Sequence, residues 1–270
     1  MSLEIIHGES TEVLPRFAGQ AALVYMDSLF NTGRTFKVGP DVAFVDRFES
    51  GLHFYHYLEG LVRACFRALA PYGTLVLHCD PTFVHTARDA CDNVFGPRHF
   101  VDQIVWHYRR WPTKGTRCNR LHDYLVCYAV DPSQARWTQL YQPLAESTLR
   151  QWGTRAQKAV VRDGVRRRSI ATEEESRGAP IGDVWTDINA VTRGRERTGF
   201  ETQKPEKLLE RVIRMRSLPG DLVIDPTLGS GSTAVAAQRL DRRFVGIDRS
   251  EVAIRVARER LAQMKIGVAA

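Results

Sequence analysis

The chain has no run approaching the roughly 18 consecutive apolar residues of a membrane span. Its opening, Met1-Ser2-Leu3-Glu4, lacks the basic then apolar layout of a secretory leader. Both absences lead us to expect a cytoplasmic protein without a membrane partner. Cysteine is sparse and unpaired: Cys65, Cys79, Cys91, Cys118 and Cys127 contain no C-x-x-C. An odd, scattered set suits reduced thiols and argues against a disulfide framework. His78-Cys79 and Cys118-x-x-x-His122 are each half of a zinc pattern without its other half, so no metal is expected.

What is present is a 270-residue chain of ordinary globular composition, 43% hydrophobic and 26% charged. That length suits one large domain or two small ones. The net charge is +7, and its placement is uneven. Residues 101–200 carry 17 Lys or Arg against 11 Asp or Glu, hence +6; the other 170 carry 21 against 20, hence +1. A basic middle third raises the local concentration of a polyanion such as a phosphate backbone. A solvated face explains the same charge, so composition alone does not choose.

Periodicity gives the order of elements. Leu3–His7, Ala21–Met26, Thr74–His78, Phe100–Tyr108, Leu121–Val130, Leu222–Asp225 and Arg243–Ile247 read as strands. One or two helical turns fit Thr11–Phe17, and helices fit Phe48–Ala70, Val84–Phe95, Glu206–Met215, Ser232–Leu240 and Glu251–Met264. Pro71-Tyr72-Gly73 is expected to stop the helix that begins at Phe48, and Pro205 to precede the one that begins at Glu206. From about 131 to 200 the pattern dissolves into Gly, Thr and Arg, with Glu173-Glu174-Glu175 expected as a solvated turn. Strands alternating with helices predict a mostly parallel, helix-covered sheet with a basic insertion.

The strongest local signal is Val223-Ile224-Asp225-Pro226-Thr227-Leu228-Gly229-Ser230-Gly231-Ser232-Thr233. A strand ends, two glycines turn the chain, and a helix begins. The next strand ends on Asp248, whose carboxylate can accept hydrogen bonds from ribose hydroxyls. The spacing also fits a dinucleotide site, Gly229-x-Gly231-x-x-Ala234 with an acid about 20 residues on. Against that, Asp225 and Pro226 crowd a turn where pyrophosphate wants bare amides. Only 22 residues follow Asp248, short of a second dinucleotide half. A carboxylate at the turn suits a cation, as in S-adenosylmethionine with its ammonium and sulfonium.

These residues resemble the beta class of DNA amino-methyltransferases of the restriction-modification type. Asp225 to Thr233 resembles the family's D-P-F-x-G-S-G-T-T cofactor loop, and Thr202-Gln203-Lys204-Pro205-Glu206-Lys207-Leu208-Leu209 its T-Q-K-P-x-x-L-L segment. Phe95-Gly96, Phe100, Ile104-Val105-Trp106 and His122-Asp123-Tyr124 resemble its F-G, F, I-x-W and H-x-Y series. Gly8-Glu9-Ser10 with Val13-Leu14 resembles its G-D-x-x-x-x-L. The tetrad D-P-P-Y or D-P-P-F reads Asp27-Ser28-Leu29-Phe30 here, with both prolines replaced.

The resemblance implies an α/β, Rossmann-like S-adenosylmethionine-dependent methyltransferase fold. It implies a mostly parallel seven-stranded sheet with helices on both faces and an inserted target-recognition region. The expected division is a catalytic half over 1–108, a basic recognition region over 109–200 that keeps some core strands, and a cofactor half over 201–270. Leu3–His7 is then expected to supply the strand missing after Asp248. The cofactor would be held by Glu9, Lys204, Pro205, Asp225, Pro226, Thr227, Gly229, Ser230, Gly231, Ser232 and Asp248.

The lone pair of an exocyclic base amine is delocalised into its ring. Asp27 and the Ser28 carbonyl would accept the two N–H hydrogens and localise that pair, while Phe30 stacks on the flipped base. An Asp at the first tetrad position favours adenine N6, with cytosine N4 as the alternative. A catalytically weak or silent DNA-binding relic is the second alternative, because the prolines are missing. Double-stranded DNA would be read by Arg109, Arg110, Trp111, Lys114, Arg117 and Arg120, then by Arg166, Arg167, Arg168, Arg193, Arg195 and Arg197. A homodimer and a cognate endonuclease are further implications of the resemblance.

Overall fold

The computed structural model describes residues 2–194 and 196–267, without the side chains of 166–168 and 265–267. The chain runs from β1 (Leu3–His7) through α1 (Ser10–Val13) to β2 (Ala21–Asp27). A hairpin follows, β3 (Arg34–Val38) and β4 (Asp41–Asp46), then α2 (Gly51–Ala68). Next come β5 (Leu69–Cys79), α3 (Val84–Phe95), β6 (Phe100–His107) and β7 (His122–Ala129). The middle holds β8 (Tyr141–Gln142), α4 (Glu146–Trp152), β9 (Arg155–Arg162), β10 (Val165–Glu175), β11 (Ala179–Pro180) and β12 (Val184–Trp185). α5 (Glu206–Arg216), β13 (Leu222–Asp225), α6 (Ser232–Arg239), β14 (Arg243–Asp248) and α7 (Glu251–Gly267) complete it.

One sheet has the order β1-β14-β13-β2-β5-β7-β6-β12. Pairs from β1 to β5 and the β6–β12 pair are parallel; β5–β7 and β7–β6 are antiparallel. Among the described residues the sheet therefore has eight strands rather than the expected seven. The extra strand, β12, is two residues long and too short to show a period. It is held by the Val105 amide donating to the Asp183 carbonyl (2.7 Å) and the Trp106 indole donating to the Ile188 carbonyl (2.8 Å). β1 does lie beside β14, from Leu3 opposite Phe244 to His7 opposite Asp248.

Strand parity sorts the side chains. Val24, Met26, Leu75, Leu77, Ile224, Val245 and Ile247 share one core cluster with Phe54, Leu58, Val62, Ala87 and Cys91 of α2 and α3. The alternate residues, Tyr25, Asp27, His78, Asp225 and Asp248, therefore point to the opposite face. A one-residue slip of β2 would send Asp27 into the α2–α3 core. Tight packing also fixes where β2 begins: a Cβ on Gly73 would sit 2.6 Å from the Ala21 carbonyl oxygen.

Three further details depart from the sequence reading. Pro71-Tyr72-Gly73 lies inside β5, which starts at Leu69, because a register shift opposite Ala21 and Leu23 absorbs the proline. The β3–β4 hairpin has no counterpart in that reading; its signal is Gly39-Pro40 between Phe36 and Phe44. Glu173-Glu174-Glu175 ends strand β10 rather than forming a turn, since it pairs back toward Arg155.

Residues 139–182 form a compact unit of their own, while 109–138 and 183–200 belong with the sheet. Within that unit β8 pairs with β11, and β9 with β10. Asp163 and Gly164, at φ 52° and 72°, make the β9–β10 turn, as the Asp-Gly hairpin signal requires. Among the described residues no helix is long and apolar enough to cross a membrane.

Candidate active site

β2 and β13 are neighbours and run parallel, so Asp27 and Asp225 leave the sheet at the same edge. The Asp27 amide donates to the Thr227 hydroxyl at 3.0 Å, which joins the two strand exits directly. One cleft is lined by Asp27, Ser28 and Phe30 on one side and by Asp225, Pro226, Thr227, Gly229, Ser230 and Ser232 on the other. Glu9, Lys204 and Asp248 also line it. Pro205 and Gly231 are not among the lining residues: Pro205 caps α5, and Gly231 caps α6.

The glycine loop is held from several sides. Gly229 and Gly231 have φ of 51° and 76°, the left-handed region that glycine occupies freely. The Asp248 carboxylate accepts the Gly229 amide (2.8 Å) and the Ser250 amide (2.8 Å). Asp225 accepts the Thr227 amide at 2.9 Å, and the Ser10 hydroxyl donates to the Pro226 carbonyl. The Ser232 hydroxyl donates to the Lys204 carbonyl at 2.7 Å, tying the loop to the Thr202–Pro205 segment.

Burial pushes the Asp225 carboxyl up to about 7, opposed by hydrogen bonds from Thr233 and Thr227. Burial likewise raises Asp248 above the usual carboxylate range, against the pull of the Ser250 and Gly229 amides. This wall of the cleft therefore favours a positive group. The carboxylates and the left-handed glycines fit a ligand carrying ribose and a cationic amino-acid end. Phe36, Phe44 and Phe200 add an aromatic wall, with ring centroids 4.7 Å apart for Phe36–Phe44 and 6.1 Å for Phe44–Phe200. An ideal Cβ on Gly229 would lie 3.6 Å from the Phe200 ring, so the glycine turn packs against this wall.

Across the cleft, Lys204 Nζ lies 2.5 Å from Asp27 Oδ2 and 5.4 Å from the Phe30 ring centre. The other Asp27 oxygen, Oδ1, is buried with no hydrogen-bond partner among the described residues. A buried, unpaired carboxylate oxygen costs free energy until a donor arrives. Behind Phe30 runs a buried chain. Tyr25 is hydrogen-bonded to His78 Nδ1 (2.7 Å), His78 Nε2 to Asp123 (3.1 Å), and the Tyr108 hydroxyl donates to Asp123 (2.9 Å). His78 sits 6.1 Å from the Phe30 ring centre. Burial raises Tyr25, with Asp27 adding to it. For Asp123 burial acts upward, but the His78 hydrogen bond and charge outweigh it and hold the carboxyl below its usual range.

Sequence reasoning did not find Phe36, Phe44, Phe200, Tyr25 or His78 as parts of this site. Phe200 could have been suspected, two residues before Thr202-Gln203-Lys204-Pro205. The others depend on strand parity and pairing.

The DNA candidates lie elsewhere. Arg109, Arg110, Trp111, Lys114 and Arg117 are exposed in the loop between β6 and β7, Trp111 at 88%. β6 runs in the same direction as β2, so this loop leaves the sheet at the Asp27 edge. Arg110 lies over the Tyr108 ring, and Arg120 is paired with Asp80. Arg193 and Arg197 are surface residues outside the core, with Arg197 donating to the Thr192 carbonyl at 2.9 Å. Arg166, Arg167 and Arg168 have backbones in β10, but their side chains and the whole of Arg195 lie outside the described residues.

Residues 21–259 match the N6/N4 methyltransferase family, described as DNA methylase. The chain belongs to this family. It is 25% identical to the type II methyltransferase M.HpaI of Haemophilus parainfluenzae over 242 residues, which is 88% of this chain and 67% of that one. To the type II methyltransferase M2.DpnII of Streptococcus pneumoniae it is 44% identical over 91 residues, a stretch covering 33% of each chain. The fold is shared with a protein of Thermus thermophilus solved in complex with S-adenosyl-L-methionine. The TM-score is 0.61 at 21% identity, covering 97% of this chain and 93% of that one.

Proposed function

We propose that the protein transfers a methyl group from S-adenosylmethionine to the exocyclic amine of a base flipped out of double-stranded DNA, with adenine N6 as the preferred target. One observation carries the reading: Asp27, whose Oδ1 has no hydrogen-bond partner among the described residues, lines the cleft that the glycine loop also lines. Such an oxygen is the acceptor that an N–H of the amine needs. The Ser28 carbonyl would take the second hydrogen, leaving the nitrogen lone pair directed away from both. Phe30 offers a stacking surface, worth roughly 1–3 kcal/mol per base. Lys204 holds Oδ2 and so fixes the plane of the carboxylate. The Asp27 charge then lies beside the nitrogen as that atom becomes positive, stabilisation directed at the transition state.

When bound, S-adenosylmethionine supplies an electrophilic methyl. The residues that would hold it are Asp248 and the Phe44–Phe200 wall for the nucleoside end, and the Asp225 turn with the Lys204 segment for the amino-acid end. The loop from Arg109 to Arg117 would meet the phosphate backbone. Adenine is preferred because the first tetrad position is Asp. The missing prolines raise the reading of a silent relic, but a retained, unpaired acceptor at the tetrad favours an active enzyme.

The test is transfer of a labelled methyl group to duplex DNA, followed by identification of the methylated base. Asp27→Ala should lower transfer by about a hundred- to a thousandfold, in line with losing one main stabiliser of developing charge. Cofactor binding, followed by tryptophan fluorescence, should survive. Wild-type protein that binds S-adenosylmethionine but methylates no DNA would overturn the reading. N4-methylcytosine as the product would correct the base alone.

A further inference from the structure

The segment after Asp27 lacks the two prolines that would fix φ and stiffen the Ser28 carbonyl. A different restraint stands in this chain. Asp46, the last residue of β4, is 2% exposed, and its carboxylate is turned onto the loop that follows Phe30. Oδ1 accepts the Asn31 amide at 2.7 Å. Oδ2 accepts the Thr32 amide at 3.0 Å and the Thr32 hydroxyl at 2.6 Å. The Asp46 carbonyl accepts the Gly33 amide at 2.8 Å. One residue thus receives four hydrogen bonds from three consecutive loop residues.

The loop turns at Asn31, whose φ of 51° lies in the left-handed region that asparagine tolerates better than most non-glycine residues. Its side-chain oxygen also accepts the Phe48 amide at 3.2 Å. The clamp is reciprocal, because a buried carboxylate is costly unless hydrogen-bonded. Opening the loop would strand the Asp46 charge, and losing that charge would release Asn31 and Thr32.

We infer that Asp46 is a positioning residue for methyl transfer: by clamping Asn31–Gly33 it fixes the Ser28 carbonyl and the Phe30 ring, the work that prolines would otherwise do. This rests on the amine-methyltransferase reading. Asp46 acts through residues 28–33 and needs no contact with the reacting atoms. Asp46 and Thr32 line the same cleft, but the Gly229–Gly231 turn takes its hydrogen bonds from Asp248 and Leu228, and Phe44 is seated by its pairing with Phe36 across the β3–β4 ladder. Cofactor affinity should therefore change little when Asp46 is altered.

The test uses the full chain with Asp46→Asn and Thr32→Val. Three quantities are compared: amide hydrogen exchange across residues 28–33, the single-turnover rate of methyl transfer to duplex DNA at saturating S-adenosylmethionine, and the dissociation constant for S-adenosylmethionine. Asp46→Asn should speed exchange in 28–33 and lower the transfer rate by about 10- to 100-fold, the scale of a roughly 1 Å misplacement, with the dissociation constant within about threefold. Thr32→Val, which removes one bond of the four, should give a smaller change in the same direction and serves alone if Asp46→Asn does not fold. Adding Leu29→Pro to Asp46→Asn should recover at least about threefold in rate, because it restores a fixed φ by another route. Faster loop exchange with an unchanged transfer rate would overturn the inference. So would a slower rate with unchanged exchange, or no recovery with Leu29→Pro. Wild-type protein inactive on every DNA would instead overturn the parent reading and this inference with it, so the two failures are distinguishable.

Discussion

The cleft and the loop between β6 and β7 use similar residues and hold them in opposite ways. In the cleft, Lys204 is paired with Asp27, Phe44 lies between Phe36 and Phe200, and Gly229 is fixed by Asp248. In the loop, Arg109, Arg110, Trp111, Lys114 and Arg117 face solvent, and the Thr113 amide and hydroxyl close it on Asn119 at 3.0 and 2.7 Å. The contrast follows from what each region would bind. A methyl transfer needs donors and acceptors in place before charge develops, because reorganisation then would raise the barrier. A phosphate backbone is a repeating charge, which exposed arginines can meet in many registers. The same residue types are therefore over-determined in one place and presented in the other.

The largest effect is expected at Gly231. Its φ is 76°, and a Cβ there would lie 2.9 Å from the Ala257 Cβ. Gly231→Val should cost roughly 2–6 kcal/mol, combining left-handed strain with overpacking. Calorimetry would read this as a lower melting temperature, and equilibrium binding as loss of S-adenosylmethionine affinity. No substitution in the exposed loop should approach it.

Next is Lys204→Met, which leaves Asp27 Oδ2 without its 2.5 Å partner. Losing a hydrogen bond to a charged, largely buried group should cost about 1–3 kcal/mol of stability. Denaturant unfolding measures that cost, and methyl transfer should slow while DNA affinity holds. An unchanged transfer rate would show that Lys204 does not orient the carboxylate.

A pH series sharpens the contrast at smaller amplitude. The Asp225 carboxyl, at about 7 in the folded protein, keeps a proton that the unfolded chain has released at its lower, ordinary value. Its contribution to stability is thus full below the ordinary value and is lost as pH rises through about 7. A cationic ligand prefers the ionised form, so S-adenosylmethionine affinity should rise over the same interval. Asp225→Asn should flatten both profiles, as read by melting temperature and by fluorescence titration. The exposed arginines should contribute nothing to either.

The smallest effects belong to the loop. Arg110→Ala and Arg117→Ala should each weaken DNA binding and reduce the slope of log affinity against log salt by about one for each phosphate contact removed. S-adenosylmethionine affinity should stay as it was. A loss of DNA affinity with the salt slope unchanged would mean that the arginine does not meet phosphate.

Local residue pattern dictates the alternation of strands and helices, the glycine turn at Gly229–Gly231, and the acids Asp27, Asp225 and Asp248 at three strand ends. These are legible because period, turn chemistry and strand length are properties of a few adjacent residues. The β9–β10 hairpin went unread: Asp163-Gly164 is its turn signal, but the exposed residues around it carry no alternation to mark the strands. The assembled core, by contrast, brings Lys204 to Asp27 across 177 positions, closes Asp46 on the loop after Phe30, and sets His78 and Asp123 behind that ring. Those contacts depend on which strands neighbour one another and on which face each residue takes. Sheet order and register are settled by the packing of the whole core, and no short stretch of chain contains them.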